Sequence, residues 1–126
     1  MVKALLSVKP EYAEKILSGE KIYEFRRRIF KRKDVDILVI YATRPQCRVV
    51  AETRIGGIME STPEDIWKRT NRHGGISHDR FMDYFAGRET AYAIELRSVR
   101  RFGRPRTLSE YAPEVKSAPQ SFIYVD

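Results

Sequence analysis

Lys21, Glu24 and Arg26 lie in the stretch SGEKIYEFRRRIFKRK, residues 18–33, in the order Gly19-x-Lys21-x-x-Glu24-x-Arg26. Three such side chains do chemistry together only if they face one space. A guanidinium then holds the carboxylate ionised and oriented, and the ammonium donates to a base or a phosphate. Left in solvent, the same trio is an exposed ion-pair ladder worth little. Spacing alone does not choose between the two. If the site is catalytic, Lys21 and Glu24 are the groups that would move protons. A lysine acting as base needs its pKa lowered by burial or a neighbouring cation, and a close Glu24 acts in the opposite sense, so the expectation is a charged, donating Lys21.

The surroundings are basic. Arg26 to Lys33 holds six cations and no acid (Arg26, Arg27, Arg28, Lys31, Arg32, Lys33), and Arg97 to Arg106 holds five more (Arg97, Arg100, Arg101, Arg104, Arg106), again with no acid. Gathered on one surface they would attract phosphates in a salt-dependent way. Separately they could be solvated loops, or edges protected from aggregation. Tyr23, Phe25, Phe30 and Phe102 are interleaved with these charges, and single-stranded recognition needs both cations and flat surfaces for bases. The whole chain carries a net charge of +7, from 24 basic and 17 acidic residues. That balance favours an anionic partner, nucleic acid first.

The elements that must position these residues are short. KALLSVK is a first strand ended by Pro10, and PEYAEKILSG a helix with proline in the first turn and Gly19 as a left-handed cap, which puts Lys21 just past the helix end. Ile22 to Arg28 is expected to be a strand with Glu24, Arg26 and Arg28 on one face and Tyr23 and Phe25 on the buried one. Ile37 to Tyr41 is a central strand, covered on both sides. RVVAETRIGGIME is a further strand bent at Gly56-Gly57. Thr62 and Ser77 each cap a short helix, with Ile76 stapling onto Phe81 and Gly87 closing the second. TAYAIELRSV is a strand, RRFGRPRT a basic loop and PQSFIYVD a returning strand. One domain over 1–126 is expected, α+β and strand-dominated, a small mixed β-barrel with peripheral short helices.

Several chemistries lack their residues. His73 and His78 are the two histidines and Cys47 the single cysteine, with no metal-ligand spacing, no dinucleotide glycine motif and no phosphate loop, so neither metal nor cofactor is expected. One thiol cannot form an internal disulfide, which fits a reducing, cytoplasmic setting. No stretch approaches the roughly 18 apolar residues of a membrane span, so no membrane partner is expected.

The motif Gly19-x-Lys21-x-x-Glu24-x-Arg26 after a first helix resembles that of the ASCH domain family of the PUA-like superfamily. LLSVKPEYAEKILSG upstream, YATRP after the central strand and PQSFIYV at the end extend the likeness over nearly the whole chain. The resemblance implies a β-barrel with a cleft in which RNA or a modified nucleobase sits, walled by Lys21, Glu24 and Arg26. Ser7, Lys9, Thr43 and Ser121, at strand ends and turns near the motif, are proposed as further wall residues, with Arg28 beside them. Binding in RNA metabolism or regulation is the reading preferred. The rival is a metal-independent hydrolase. One subgroup of the family hydrolyses acetylated cytidine with a lysine, a threonine three positions on and a glutamate ahead of the last helix. Here Glu24 replaces the threonine, and Asn71-Arg72-His73-Gly74-Gly75 offers no carboxylate. A ribonuclease activity has been proposed for other members, and a third reading, a ligand-sensing module, calls for a protein partner.

Overall fold

The computed structural model describes residues 2–126. Its order is β1 (Lys3–Val8), α1 (Pro10–Ser18), β2 (Tyr23–Arg26), β3 (Ile37–Ala42), β4 (Arg48–Ser61), α2 (Pro63–Thr70), α3 (His78–Tyr84), β5 (Ala91–Arg106), α4 (Leu108–Tyr111) and β6 (Phe122–Val125). The strands make one sheet in the order β2-β5-β4-β3-β1-β6. Only β1 and β3 run parallel; the remaining neighbours are antiparallel.

The sheet is a half-barrel, because its end strands β2 and β6 do not pair with each other. Side chains bridge the opening instead. Arg26 Nη2 on β2 donates to the Ser7 carbonyl on β1 at 2.9 Å. Past β2, the backbone N–H groups of Lys31 and Arg32 donate to the Tyr124 hydroxyl on β6, and the Phe30 ring meets Phe122 edge-on. The first basic segment therefore leaves the sheet after Arg26 and packs across its open side. This shortens the expected strand and carries Arg28 off the pleat.

Apolar periodicity divides the core into three clusters. Leu6, Ile40, Val50 and Ile94 meet α1 through Ala13 and Ile16 on the inner face. Leu5, Val39, Val49 and Phe102 fill the outer face with Val115. Phe25 and Ala93 meet α2 and α3 through Ile66, Phe81 and Phe85. The alternation in β2 is as expected, since Phe25 packs edge-on against Phe81 at 5.0 Å between ring centroids while Glu24 and Arg26 face the other way. The caps are where the sequence puts them: Gly19 at φ 85°, Thr62 accepting from the Asp65 N–H, and Ser77 from the Arg80 N–H. A register shift beside Gly56 and Gly57 marks the expected bend.

The tail of β5 departs from expectation. The segment RRFGRPRT is no free loop, because β5 continues to Arg106 along β4. Glycine and proline are accommodated in a wide bulge: Ala51 faces Arg101 and Val49 faces Arg106, so four residues of β5 lie opposite Val50 alone. Thr107 then starts the unanticipated α4 with a capping box closed by Glu110.

Candidate functional site

The cavity opens where the half-barrel fails to close. It has a volume of about 1110 Å³, slightly above the roughly 300–1,000 Å³ usual for small-molecule sites. Lys21, Glu24 and Arg26 sit in it at only 3%, 7% and 8% exposure. They converge instead of splaying. Glu24 Oε2 pairs with Arg26 Nη2 at 2.9 Å, and Glu24 Oε1 lies 4.0 Å from Lys21 Nζ. Arg26 Nε is buried with no hydrogen-bond partner.

Lys21 owes its placement to two loops. Gly19 ends α1, so the chain doubles back with the Lys21 N–H on the Lys15 carbonyl and the Ile22 N–H on the His73 carbonyl. Lys21 Nζ then donates to the Gly74 carbonyl at 2.7 Å. Gly75 lies against the lysine stem; a Cβ there would come within 2.7 Å of Lys21 Cβ, and its φ of +65° also favours glycine. The ammonium lies 4.6 Å from the Phe25 ring centroid and 5.5 Å from that of Tyr12. Burial is the largest influence on Lys21 and brings its pKa down to about 8; Glu24 opposes the fall, and Lys15 and Arg26 assist it. Burial thus outweighs Glu24, yet at about 8 Lys21 stays mainly charged at neutral pH and donates to Gly74, in keeping with the charged, donating lysine expected.

All the wall residues named from sequence line this cavity: Ser7, Lys9, Arg28, Thr43 and Ser121 join the trio. Ser7 Oγ is occupied by the Pro119 carbonyl at 2.6 Å, so its hydroxyl is already a donor to the chain. The sequence reading missed the opposite wall, where Tyr12, Arg80, Tyr84 and Arg88 also line the space. Arg80 is held by Glu11 at 3.1 Å, and Arg27 stacks over Tyr84 at 4.4 Å. Seven cations and three carboxylates line the cavity in all.

Among the interleaved aromatics Phe25 is buried as the strand alternation expects, whereas Phe30 and Phe102 are core residues instead of open faces for bases. Phe25, Phe30 and Phe102 are 6%, 7% and 6% exposed and belong to the core. The rings that do line the cavity are Tyr12 and Tyr84 besides Phe25. The basic segments are also partly neutralised. Arg97 pairs with Glu95, Arg100 with Glu52, Arg104 with Glu110 and Arg32 with Asp34. Arg27, Arg28, Lys31, Lys33, Arg101 and Arg106 have no carboxylate partner among the described residues. Among those residues, too, no cluster of three metal-ligating side chains occurs, and no helix is long and apolar enough to cross a membrane.

A strand-dominated half-barrel with a basic cleft over a buried Lys–Glu–Arg trio is the class of protein defined by this fold. The ASCH domain model matches residues 6–102, and the chain belongs to that family. It is 38% identical over 95 residues to the ASCH domain-containing ribonuclease of Zymomonas mobilis, an alignment covering 75% of this chain and 64% of the relative. The large ribosomal subunit protein uL22 of Ureaplasma parvum is 25% identical over 122 residues, 96% of this chain and 38% of that protein. The chain thus spans less than two thirds of either relative. The crystal structure of ASCH from Zymomonas mobilis superposes with a TM-score of 0.89 at 34% identity, covering 98% of this chain and 87% of that one. A serine-to-alanine mutant of the same protein gives the same TM-score at 33% identity, with 98% and 88% covered.

Proposed function

We propose that residues 1–126 act as a single unit that binds single-stranded RNA, with a base or phosphate held over Lys21, Glu24 and Arg26. The carrying observation is the burial of this trio at the floor of a cavity far larger than one ion pair needs. Burying three charges costs more than an exposed ladder would, and that cost makes sense where a ligand uses them. Glu24 Oε1, at 4.0 Å from Lys21, can accept from a base amino or imino group, and Lys21 keeps donors beyond the one spent on Gly74. Ser7, Lys9, Arg28, Thr43 and Ser121 contribute to the wall, and Arg27 and Arg28, unpaired there, add sequence-independent attraction. A reducing, cytoplasmic setting fits the single thiol.

The lowered pKa of Lys21 and the ribonuclease relative favour a second reading, metal-free cleavage of the bound strand. The 2′-oxygen would attack phosphorus while its proton passes to the Glu24 carboxylate. The bond from phosphorus to the 5′-oxygen would break as the Lys21 ammonium gives up a proton to the leaving oxygen. The products are a 2′,3′-cyclic phosphate and a 5′-hydroxyl, and proton return from Glu24 to Lys21 restores the site.

One set of measurements tests both readings. Lys21→Ala and Glu24→Gln should each weaken RNA binding by about tenfold or more, corresponding to about 1–3 kcal/mol. Parent affinity should decline as pH rises through about 8, where Lys21 loses its charge. Parent-like affinity in both variants across an RNA panel would refute the site. Incubation of the parent with labelled RNA and excess chelator should yield the cyclic-phosphate product, with an all-deoxy strand left intact. Uncut RNA would remove the second reading and leave the first.

A further inference from the structure

We propose that the RNA strand held in the main cleft continues across the Thr43–Gln46 turn into a second, smaller groove, so that the protein reads a run of nucleotides instead of a single one. The inference rests on the RNA-binding reading above. The second groove has a volume of about 360 Å³ and lies between α1 and the β4–β5 bulge, lined by Leu17, Gln46, Arg48, Arg101, Phe102 and Pro105, with the Glu14 carboxylate at its side.

Three observations join the two spaces. First, they share their dividing elements. Tyr12 of α1 and Thr43 line the main cleft, while Leu17 of the same helix and Gln46 of the same turn line the second groove. Second, the divide is narrow. The Gln46 N–H donates to the Thr43 carbonyl at 3.1 Å, which makes residues 43–46 a β-turn, and the ends of such a turn lie within about 7 Å. Third, the charge matches a phosphate strand. Arg44 is exposed on the dividing turn, and neither Arg48 nor Arg101 has a carboxylate partner among the described residues, whereas Arg97, Arg100 and Arg104 nearby are each paired. Arg48 is instead anchored by donating to the Gln46 and Cys47 carbonyls, which fixes it at the foot of the turn.

A general attraction to polyanions also grows with strand length, but it would fall as much on reversing an unpaired cation outside both grooves, as in Lys33→Glu. An equal loss for the longer strand there would overturn the proposal. A second subsite has a different signature, dependence on Arg48 and Arg101 in a strand long enough to reach them. Calorimetric titration with unlabelled oligouridylates of about two and about ten nucleotides distinguishes them. In Arg48→Glu/Arg101→Glu the longer strand should lose at least about tenfold in affinity and its logarithmic salt slope should flatten by about 1.4, as two phosphate contacts require for a single strand. The dinucleotide should bind as it does to the parent. Arg101→Glu alone, which breaks no side-chain hydrogen bond or ion pair among the described residues, should produce about half the change in slope. Equal weakening of both lengths, or unchanged binding of the longer one, overturns the proposal. So does competition by a polyglutamate peptide as effective as the decanucleotide, since the groove would then be an acidic-peptide site. If neither oligonucleotide binds the parent, it is the RNA-binding reading itself that fails.

Discussion

At the scale of single residues, Lys21 carries opposing demands. Its ammonium has a carbonyl at 2.7 Å, two aromatic faces and a carboxylate at 4.0 Å, all of which favour charge, yet burial outweighs them. The folded-state pKa of about 8 lies below the ordinary lysine value of 10.5, so the unfolded chain binds more protons between those two pH values. Stability therefore rises with pH across that window, and below pH 8 the charged lysine is a net cost. Fully expressed, the cost is about 3 kcal/mol, comparable with a large share of a small domain's stability. Lys21→Met removes the titrating group and keeps most of the stem. The prediction is that the parent gains on its Lys21→Met variant by as much as about 3 kcal/mol between about pH 7.5 and about pH 10.5, read by denaturant unfolding of both proteins at each pH. A difference that stays constant over this range would mean that Lys21 is not desolvated as described.

At the scale of elements, the site is assembled by loop glycines that the motif does not contain. Gly74 supplies the carbonyl for Lys21, and Gly75 leaves room for the lysine stem. Gly75→Ala should add a strained φ and a clash, costing about 2–3 kcal/mol of stability and displacing Lys21 enough to weaken RNA binding. Gly87→Ala is the matched control. Its φ is +77° with nothing within 4 Å of an added Cβ, so it should cost only about 1 kcal/mol and leave binding intact. Urea midpoints with RNA titrations of the two variants check this, and equal binding losses would mean that backbone strain, not contact with Lys21, is responsible.

The same elements show what could be read in advance. Strand alternation placed Glu24 and Arg26 together and Phe25 opposite, and the proline and glycine around α1 located Lys21, because these are local rules of period and capping. Tyr12, Arg80, Tyr84 and Arg88 were invisible, since their meeting over the cleft depends on how α1 and α3 sit on the sheet. Likewise, Gly103 and Pro105 are turn signals taken alone, and only pairing with β4 turns them into a bulge. The α4 start was legible in Thr107 and Glu110, a capping box three residues apart, but the short helix behind it carries little apolar pattern.

At the scale of the whole molecule, acids are scarce and their placement matters. The clearest case is Glu52 on β4, which draws three elements together across the outer face: Lys3 of β1 at 3.0 Å, Arg100 of β5 at 2.9 Å and the Tyr111 hydroxyl of α4. Burial opposes ionisation of Glu52, but the hydrogen bonds from Tyr111, Lys3 and Arg100 outweigh it and hold its pKa at about 2, against 4.5 in the ordinary carboxyl. A carboxyl depressed in the folded state contributes stability that is complete above pH 4.5 and disappears as pH falls towards 2. Over that interval the molecule, already at +7, gains further positive charge and self-repulsion while losing an acid that neutralises a cation from each of two strands. Glu52→Gln keeps the shape and removes the charge. It should unfold more easily than the parent at neutral pH, by an amount on the order of 1–3 kcal/mol, with the difference shrinking steadily between about pH 4.5 and about pH 2. Tyr111→Phe, which removes one of the three hydrogen bonds and none of the charge, should raise the folded-state pKa of Glu52, so that its acid loss still begins near pH 4.5 but is smaller and ends at a higher pH than in the parent. Acid-unfolding midpoints of the three proteins measure this, and coincident acid limbs would show that the outer face is held by its apolar contacts alone.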